Sequence, residues 1–313
     1  KPELNIEYIK YKSLVSYFAK ANYTNFDRNH NQYLPVNNQN MGQAGKRFIA
    51  EIGAEALHPL KYFDLSINGL FLQKKYKLDD KKIKTKSSAI PSMKIKISSL
   101  LRQSSGKSVS LLIPELVYQK TNYKDQSMDP IFDLHQRNFG NMGEHGAIYF
   151  FGKDRVADTE FLLARLNWQK KITNDSKINV QIIKKNELTE SRVINSLLKQ
   201  PIGRDNQIGT NLSFENKSLR AYFAANYSQK RNKLNFGHMG IEINLPETRL
   251  IFSRNFQTNV PLLNAENELD YAEFSIERLI FGNYKFISGL IKDMDSMKNL
   301  ESYFGFGYEN CCL

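Results

Sequence analysis

Two adjacent cysteines, Cys311 and Cys312, have the greatest capacity for chemistry in this sequence. They lie in the final stretch "GYENCCL" and are the only cysteines in 313 residues. Neighbouring α-carbons are about 3.8 Å apart, shorter than the range of about 4.4 to 6.8 Å found in ordinary disulfides, so a bond between the two would be strained. Each cysteine therefore either bonds to some other cysteine or remains a free thiol.

The sequence carries no pattern of a metal site or a catalytic centre. Its five histidines and two cysteines form no CxxC, HExxH or HxH motif, and GxSxG, GxGxxG and Walker loops are missing as well. His135 and His145 could form a proton relay, but exposed loop histidines are commonplace. The paired acids of "LDDKK" lie in a lysine-rich turn. We predict a non-enzymatic protein with no metal and no cofactor.

The net charge of +12 is consistent with a nucleic-acid partner, an anionic membrane surface or general lysine usage. The charges are spread along the chain, and no RNP-like or OB-like pattern accompanies them, so we predict no nucleic-acid partner. No stretch approaches the roughly 20 apolar residues of a membrane-spanning helix. The first residues, "KPELNIEYIK", contain neither an initiator Met nor a signal peptide, which leads us to expect a processed protein or an excised piece.

Apolar residues recur with a period of two in segment after segment, which is the pattern of β-strands. The clearest case is "LRAYFAANYSQ", where Leu219, Phe223 and Tyr227 share one face with two alanines, while Arg220 and Asn226 lie on the other. The segments "MKIKI", "INVQI", "MGIEINL" and "YFDLSINGLF" alternate in the same way. Further candidates lie near 13–27, 46–57, 108–120, 158–170, 208–216, 249–256, 269–281, 284–292 and 300–312. The sequence thus predicts an all-β fold of about fourteen strands of about ten residues.

Two antiparallel architectures remain open at this point. Strands of a soluble sandwich average about five or six residues, whereas those of an outer-membrane barrel run to about ten, with an apolar face toward lipid and a polar face toward the lumen. Strand length favours the barrel, and so do polar-face residues that tolerate a wet lumen, such as Lys94, Lys96, Arg220 and Glu242. We predict a partial transmembrane β-barrel, with about fourteen strands of a larger whole.

The longest link between predicted strands runs from about Thr121 to Val156. Links of this length are usually functional or disordered, and its aromatic and scattered apolar residues argue against disorder. We therefore predict a working loop in the lumen or at the extracellular side.

Three segments, in this order, resemble one family. They are "LLIPELVYQKTNYKDQSMDPIFDL", "FFGKDRVADTEFLLARL" and "LESYFGFGYENCCL", which are similar to a strand-to-loop signature, an F-S-G-x-D-R-I-x-D-A-N-x-L-T motif and G-L-x-Y-E-S-C-C-W. The family is LptD, the lipopolysaccharide-assembly proteins of the Gram-negative outer membrane. Pro114, Lys124 and Leu313 depart from the family pattern.

The resemblance implies a location and a set of partners. Residues 1–313 would form part of an LptD-type C-terminal barrel domain, lacking the N-terminal periplasmic jellyroll and the final strands. The implied function is transport without chemistry: insertion of lipopolysaccharide into the outer leaflet of the outer membrane, with the lipoprotein LptE as plug, the periplasmic Lpt bridge as supplier, and membrane lipid around the wall. A general outer-membrane channel and a soluble β-rich binding protein are the alternatives.

The resemblance also implies roles for particular residues. Cys311 and Cys312 would form disulfides with cysteines of the missing N-terminal region, since consecutive strand side chains point to opposite faces. Asp125 or Asp154 is expected to pair with a Lys or Arg of the long loop and to shape a surface that touches LptE. The loop residues expected to make this contact are Tyr123, Lys124, Asp125, Gln126, Asp133, Asp154 and Arg155.

Overall fold

A computed structural model describes most of the chain and contains only β-structure in the part it describes. The described residues are 3–26, 44–78, 86–106, 108–127, 129–130, 132, 135–136, 150–151, 154–173, 175–195, 200–201, 205–260 and 267–308. Among them no helix has the length and apolar character needed to cross a bilayer. The all-β prediction is confirmed.

The strands are β1 (Glu3–Lys12), β2 (Val15–Phe26), β3 (Gly45–Pro59), β4 (Asp64–Leu78), β5 (Lys86–Ser98), β6 (Leu101–Ser105), β7 (Ser108–Thr121), β8 (His135–Gln136), β9 (Phe150–Phe151), β10 (Thr159–Thr173), β11 (Ser176–Glu187), β12 (Ile194–Asn195), β13 (Gln200–Pro201), β14 (Gln207–Glu215), β15 (Leu219–Ser228), β16 (Lys233–Asn244), β17 (Thr248–Val260), β18 (Asn267–Phe281), β19 (Tyr284–Asp293) and β20 (Asn299–Tyr308).

One 16-stranded antiparallel sheet contains all of these strands except β8, β9, β12 and β13. Its strands follow one another in chain order from β1 to β20, and β5 and β6 pair with successive halves of β7. Two small ladders, β8–β9 and β12–β13, lie in the links. In the described part of the chain, β1 and β20 each pair on one side only, so the sheet is open there. The described strands therefore form one continuous sheet, which differs from the two packed sheets of a sandwich.

Every strand predicted from the sequence is present as far as its residues are described, and the sheet adds two strands, β1 and β6. The alternation of β1 reverses along its length, because Ile9 and Tyr11 lie on the face that carries Glu7, while Lys10 and Lys12 lie on the face that carries Tyr8. A period-two count therefore gives a weak signal for this strand.

The two faces of the sheet differ sharply. Phe223, Met239 and Ile241 lie side by side on one face and are 39%, 42% and 46% exposed. On the other face, Asn226 and Ser253 are buried. We call the first the outer face and the second the inner face. The predicted arrangement, with apolar side chains outward and polar side chains inward, is confirmed in these strands. The inner face also buries an apolar cluster of Val117, Leu163 and Ile183.

The links at the two ends of the strands are unequal. At one end they have two to four residues, and Gly106 and Gly282, with φ of +56° and +53°, occupy two of the tightest turns. At the other end lie the link between β2 and β3, the link of residues 188–206, and the longest one, residues 122–158, here called the long link. Outer-membrane barrels have this asymmetry, with short periplasmic turns and longer extracellular loops.

Candidate functional site

The long link packs on the inner face of β3 and β4 through a buried polar cluster. We call this cluster the loop anchor. Its members are Arg47, Lys74, Tyr76, Gln126, Asp129, Phe132, Asp154 and Arg155.

The wall contributes three residues to the loop anchor because of strand alternation. Arg47 in β3 and Tyr76 in β4 are direct cross-strand partners, and Lys74 is two positions before Tyr76 on the same face. All three are at most 1% exposed. Buried cations are costly unless they are paired, so Arg47 and Lys74 require acceptors from the long link.

Asp154 supplies the acceptor for Arg47. One carboxylate oxygen accepts from Arg47 Nη1 at 2.8 Å and from the Tyr76 hydroxyl at 3.3 Å. The other accepts from the backbone N–H of Phe132 at 2.6 Å. The Asp154 side chain is completely buried. Asp154 thus forms an ion pair whose cation belongs to the wall, whereas the prediction placed the cation in the long loop.

Lys74 is held by three oxygens of the long link. Its Nζ donates to Gln126 Oε1 at 2.7 Å and to the Asp154 carbonyl at 3.0 Å, and it lies 3.5 Å from Asp129 Oδ2. The first two contacts are hydrogen bonds, and the third is an ion pair.

The two ends of the long link are joined to each other within the same cluster. Gln126 Nε2 donates to the Val156 carbonyl at 2.7 Å, and the Val156 N–H donates to Gln126 Oε1 at 3.0 Å. Arg155 Nη2 donates to the Asp129 carbonyl at 2.9 Å. Burial lowers the pKa of the Arg155 guanidinium from its usual value, while neighbouring Asp129 acts in the opposite direction. Arginine remains charged at neutral pH in spite of such shifts.

Aromatic rings cover the ion pair of the loop anchor. Phe132 stacks on Phe26 of β2 with ring centroids 4.2 Å apart, and it lies 6.1 Å from the ring of Tyr76. The Arg47 guanidinium lies 5.0 Å from the centroid of Phe26. Such rings exclude water, and the pair they cover is therefore screened less than a surface pair.

A second buried carboxylate, Asp158, ties the long link to the link of residues 188–206. It accepts from the Ser191 hydroxyl at 2.7 Å and from the backbone N–H groups of Arg192 and Val193 at 2.8 and 3.1 Å. The Arg192 guanidinium also lies 4.0 Å from the ring centroid of Tyr123. The two largest described links are therefore bonded to each other.

The link of residues 188–206 has its own connection to the wall. Lys185 Nζ donates to Glu187 Oε1 at 2.7 Å, and the other oxygen of Glu187 accepts from the Asp205 N–H at 2.8 Å. Asp205 in turn accepts from the Ser228 hydroxyl at 2.7 Å. These groups thus fix the C-terminal end of this link to β11 and β15.

The residues predicted from the sequence separate into three groups. Gln126, Asp154 and Arg155 belong to the loop anchor. Tyr123 contacts Arg192, whereas Lys124 and Asp125 are exposed, with Asp125 accepting from the Ser127 N–H at 2.9 Å. Asp133, Cys311 and Cys312 lie outside the described residues.

The predicted set omits the wall side of the site and two acids of the long link. Arg47, Lys74 and Asp129 are absent from the predicted set, and so is Asp158, although it lies within the quoted "FFGKDRVADTEFLLARL" motif. Charged residues on the polar face of a strand, close to its long-link end, are the available signal. Many strands have such residues, so the pattern does not show which of them are buried.

The contacts of the loop anchor hold the long link in place. Each charge binds a group of opposite charge or a hydrogen-bonding group in another segment, and the described residues hold no cluster of three or more His, Cys, Asp or Glu that could bind a metal. The arrangement can hold a long link inside the sheet.

Comparison with known proteins gives one informative sequence similarity. No family model matches the chain. The LPS-assembly protein LptD of Cupriavidus necator is 25% identical over 215 residues, which is 65% of this chain and 26% of that protein. The chain therefore spans about a quarter of the length of this relative.

Two of the solved structures that match the chain are distant from it in sequence and in fold. CdiB from Escherichia coli has a TM-score of 0.38 and 9% identity, with 97% of this chain and 58% of that chain covered. A chain in the structure of the FpvAI–pyocin S2 complex has a TM-score of 0.31 and 11% identity, with 97% and 53% covered. Likenesses this low carry no weight for function. The chain is thus a wall of antiparallel strands with an inward-anchored long link, similar in sequence to LptD over about two thirds of its length.

Proposed function

We propose that this chain is part of the wall of an outer-membrane β-barrel that assembles lipopolysaccharide in the outer leaflet, and that it performs no catalysis. The observation that carries the proposal is the loop anchor: the long link, which contains the residues resembling the LptD motifs, is bonded to the inner face of the wall. The similarity to LptD of Cupriavidus necator supports the same assignment.

The outer face supports placement in a membrane. Its apolar side chains remain exposed along the sheet, as in Ile52, Phe71 and Phe252, which are 60%, 43% and 51% exposed. At about 25 cal/mol per Å² of apolar area, leaving such a surface in water is costly, and lipid removes that cost. The outer membrane of a Gram-negative bacterium is the bilayer in which β-barrels of this kind reside.

The loop anchor has a defined task under this proposal. It keeps the long link against β3 and β4, so that the space beside the other strands stays open for a plug protein and for lipid. An LptE-type lipoprotein is the proposed plug, with the exposed residues Tyr123, Lys124 and Asp125 on its side of the link. A periplasmic bridge delivers the lipid to a part of the protein outside this chain.

Depletion of the intact protein in its source bacterium tests the function. We expect newly made lipopolysaccharide to stop reaching the cell surface, as measured by its access to an externally added lipid A-modifying enzyme, and sensitivity to detergents to rise. If surface lipopolysaccharide is unchanged while uptake of a small solute falls, the proposal is wrong and a general channel is the better assignment.

Contact with the plug is tested by variants of the intact protein. Replacing Asp154 and Arg155 by Ala frees the long link, so we expect less LptE-type lipoprotein to co-purify and detergent sensitivity to increase. The exposed variant Asp175→Ala, at the opposite end of the wall, is the control. Unchanged co-purification and resistance in the Asp154 and Arg155 variants would exclude a role of the link in plug binding.

The terminal cysteines are proposed to form disulfides with cysteines in another part of the protein. Non-reducing and reducing gels of the intact protein, with Cys311→Ser and Cys312→Ser as comparisons, measure this directly. We expect a mobility shift on reduction that each variant alters. Identical mobility of all forms would leave the two residues as free thiols.

A further inference from the structure

Three lysines form an exposed group on the outer face at the long-link end of β3 and β4. They are Lys46, Lys75 and Lys77, here called the lysine triad. Lys46 and Lys77 are direct cross-strand partners, and Lys75 is paired with Phe48, two positions along β3 from Lys46. All three side chains share one face, since their strand neighbours Arg47, Lys74 and Tyr76 are buried on the other.

The lysine triad has no counter-charge in the described part of the protein. None of its members takes part in an ion pair with a described carboxylate. Lys120, an outer-face lysine at the same end of β7, does have such a partner, with Nζ 3.2 Å from Glu160. Like charges directly opposite each other destabilise a sheet, so the Lys46–Lys77 pair costs stability that no described carboxylate offsets.

The position of the triad along the strands corresponds to a membrane interface. Nearer the middle of the same strands, the outer face carries Ile52 and Phe71, which are 60% and 43% exposed. At the level of the triad it carries the aromatic rings of Tyr23 and Phe48, which are cross-strand partners. Aromatic girdles of this kind mark the boundary between hydrocarbon and headgroups in membrane barrels.

The spacing suits a phosphate group. Cross-strand neighbours lie about 5 Å apart and residues two apart on a strand about 7 Å apart, so three flexible ammonium groups can surround one phosphate. Lysine stems can lie along the apolar surface while their charged ends reach the headgroup region. We propose that the lysine triad binds the phosphate of a phosphorylated lipid in the leaflet at the long-link end. This inference rests on the membrane placement proposed above, but not on the transport activity.

Native mass spectrometry of the intact protein in detergent micelles tests the proposal, with bisphosphorylated lipid A as the probe. The test variant carries Lys46→Gln, Lys75→Gln and Lys77→Gln. The control variant carries Lys10→Gln, Lys12→Gln and Lys170→Gln, which removes three outer-face charges at the opposite end of the wall. Lys46→Arg, Lys75→Arg and Lys77→Arg keep the charge and control for folding, and heat-modifiable gel mobility reports the folded barrel.

We expect the triad variant to bind lipid A at least tenfold more weakly, while the control variant and the arginine variant change by less than twofold. Dephosphorylated lipid A should bind the original protein as weakly as the triad variant binds the phosphorylated form. Equal binding by the triad and control variants would overturn the proposal. Full displacement of lipid A by equimolar inorganic phosphate would identify free phosphate as the ligand and would also overturn it. If the protein inserts into membranes but the triad variant binds lipid A as tightly as the original protein, the lipid-binding proposal is wrong while the proposed function still stands.

Discussion

Replacing Asp154 by Ala should release the long link from the wall without unfolding the wall itself. The substitution removes the acceptor of three hydrogen bonds, from Arg47, Tyr76 and the Phe132 N–H, and leaves the Arg47 guanidinium buried without its carboxylate. Removing one partner of a buried ion pair costs about 3 to 5 kcal/mol. The ladders of β3 with β4 do not depend on Asp154, so this cost falls on the docking of the link.

The cost can be converted into a population. At about 1.4 kcal/mol for each factor of ten, the released form of the link becomes roughly a hundred to several thousand times more populated. Hydrogen exchange followed by mass spectrometry on the intact protein in detergent measures this change. Because exchange reports the open population, the peptide that contains Phe132 should exchange faster by a similar factor.

Two variants make the interpretation specific. The combined variant Arg47→Met and Asp154→Leu removes the buried unpaired guanidinium, but the Tyr76 hydroxyl and the Phe132 N–H still lose their acceptor, so protection should return only in part. Asp175→Asn breaks an exposed pair with Lys217, which should cost at most about 1 kcal/mol and leave the link protected. Unchanged exchange at Phe132 in Asp154→Ala would refute the assignment of the loop anchor as the contact that holds the link.

Three further outcomes follow from the same structure. Phe223→Arg should reduce membrane insertion by about 2 to 4 kcal/mol, because the side chain faces outward, while Ala224→Arg on the inner face should insert normally; equal insertion of both would contradict the assignment of the faces. Gly240→Ala should lower the temperature at which the folded barrel unfolds in a heat-modifiable gel assay, because a Cβ there would lie 2.8 Å from a carbonyl oxygen on the next strand. Gly305→Ala has open space around its Cβ and should leave that temperature unchanged. A lower unfolding temperature for Gly305→Ala than for Gly240→Ala would be inconsistent with the strand packing. Asp158→Ala should speed hydrogen exchange in residues 190–194 by about one to two orders of magnitude, since backbone N–H groups lose their acceptor, and an unchanged rate would exclude that contact.

The sheet was predictable from the sequence because strand alternation and strand length can be read from short stretches of residues. In β15, residues on opposite faces, such as Phe223 and Asn226, show directly which face is apolar and exposed and which is polar and buried, and strand length separates a barrel wall from a sandwich. The same pattern does not identify β1, because the apolar Ile9 lies on its polar face and the charged Lys10 lies on its apolar face. The pattern identifies a strand only when both faces remain consistent along it.

The site was predictable only on its loop side. Asp154 and Arg155 belong to a recognisable motif, but Arg47 lies 107 residues away from Asp154. Strand alternation places Arg47 on the inner face, yet nothing in its local sequence indicates which acid will reach it. Pairings of this kind depend on where the sheet brings β3, β4 and the start of β10 together, and that is a property of the whole wall.

The strand order has a consequence for how such a wall is built. Each described wall strand pairs with its neighbours along the chain, so the sheet can grow hairpin by hairpin, with loop closures that are short at one end of the wall and longer at the other. The contact between Arg47 and Asp154 is an exception, since it spans several hairpins and can form only after those hairpins are in place. Internal docking of the link is thus a late step, and it reports that the preceding strands have been assembled in the correct register.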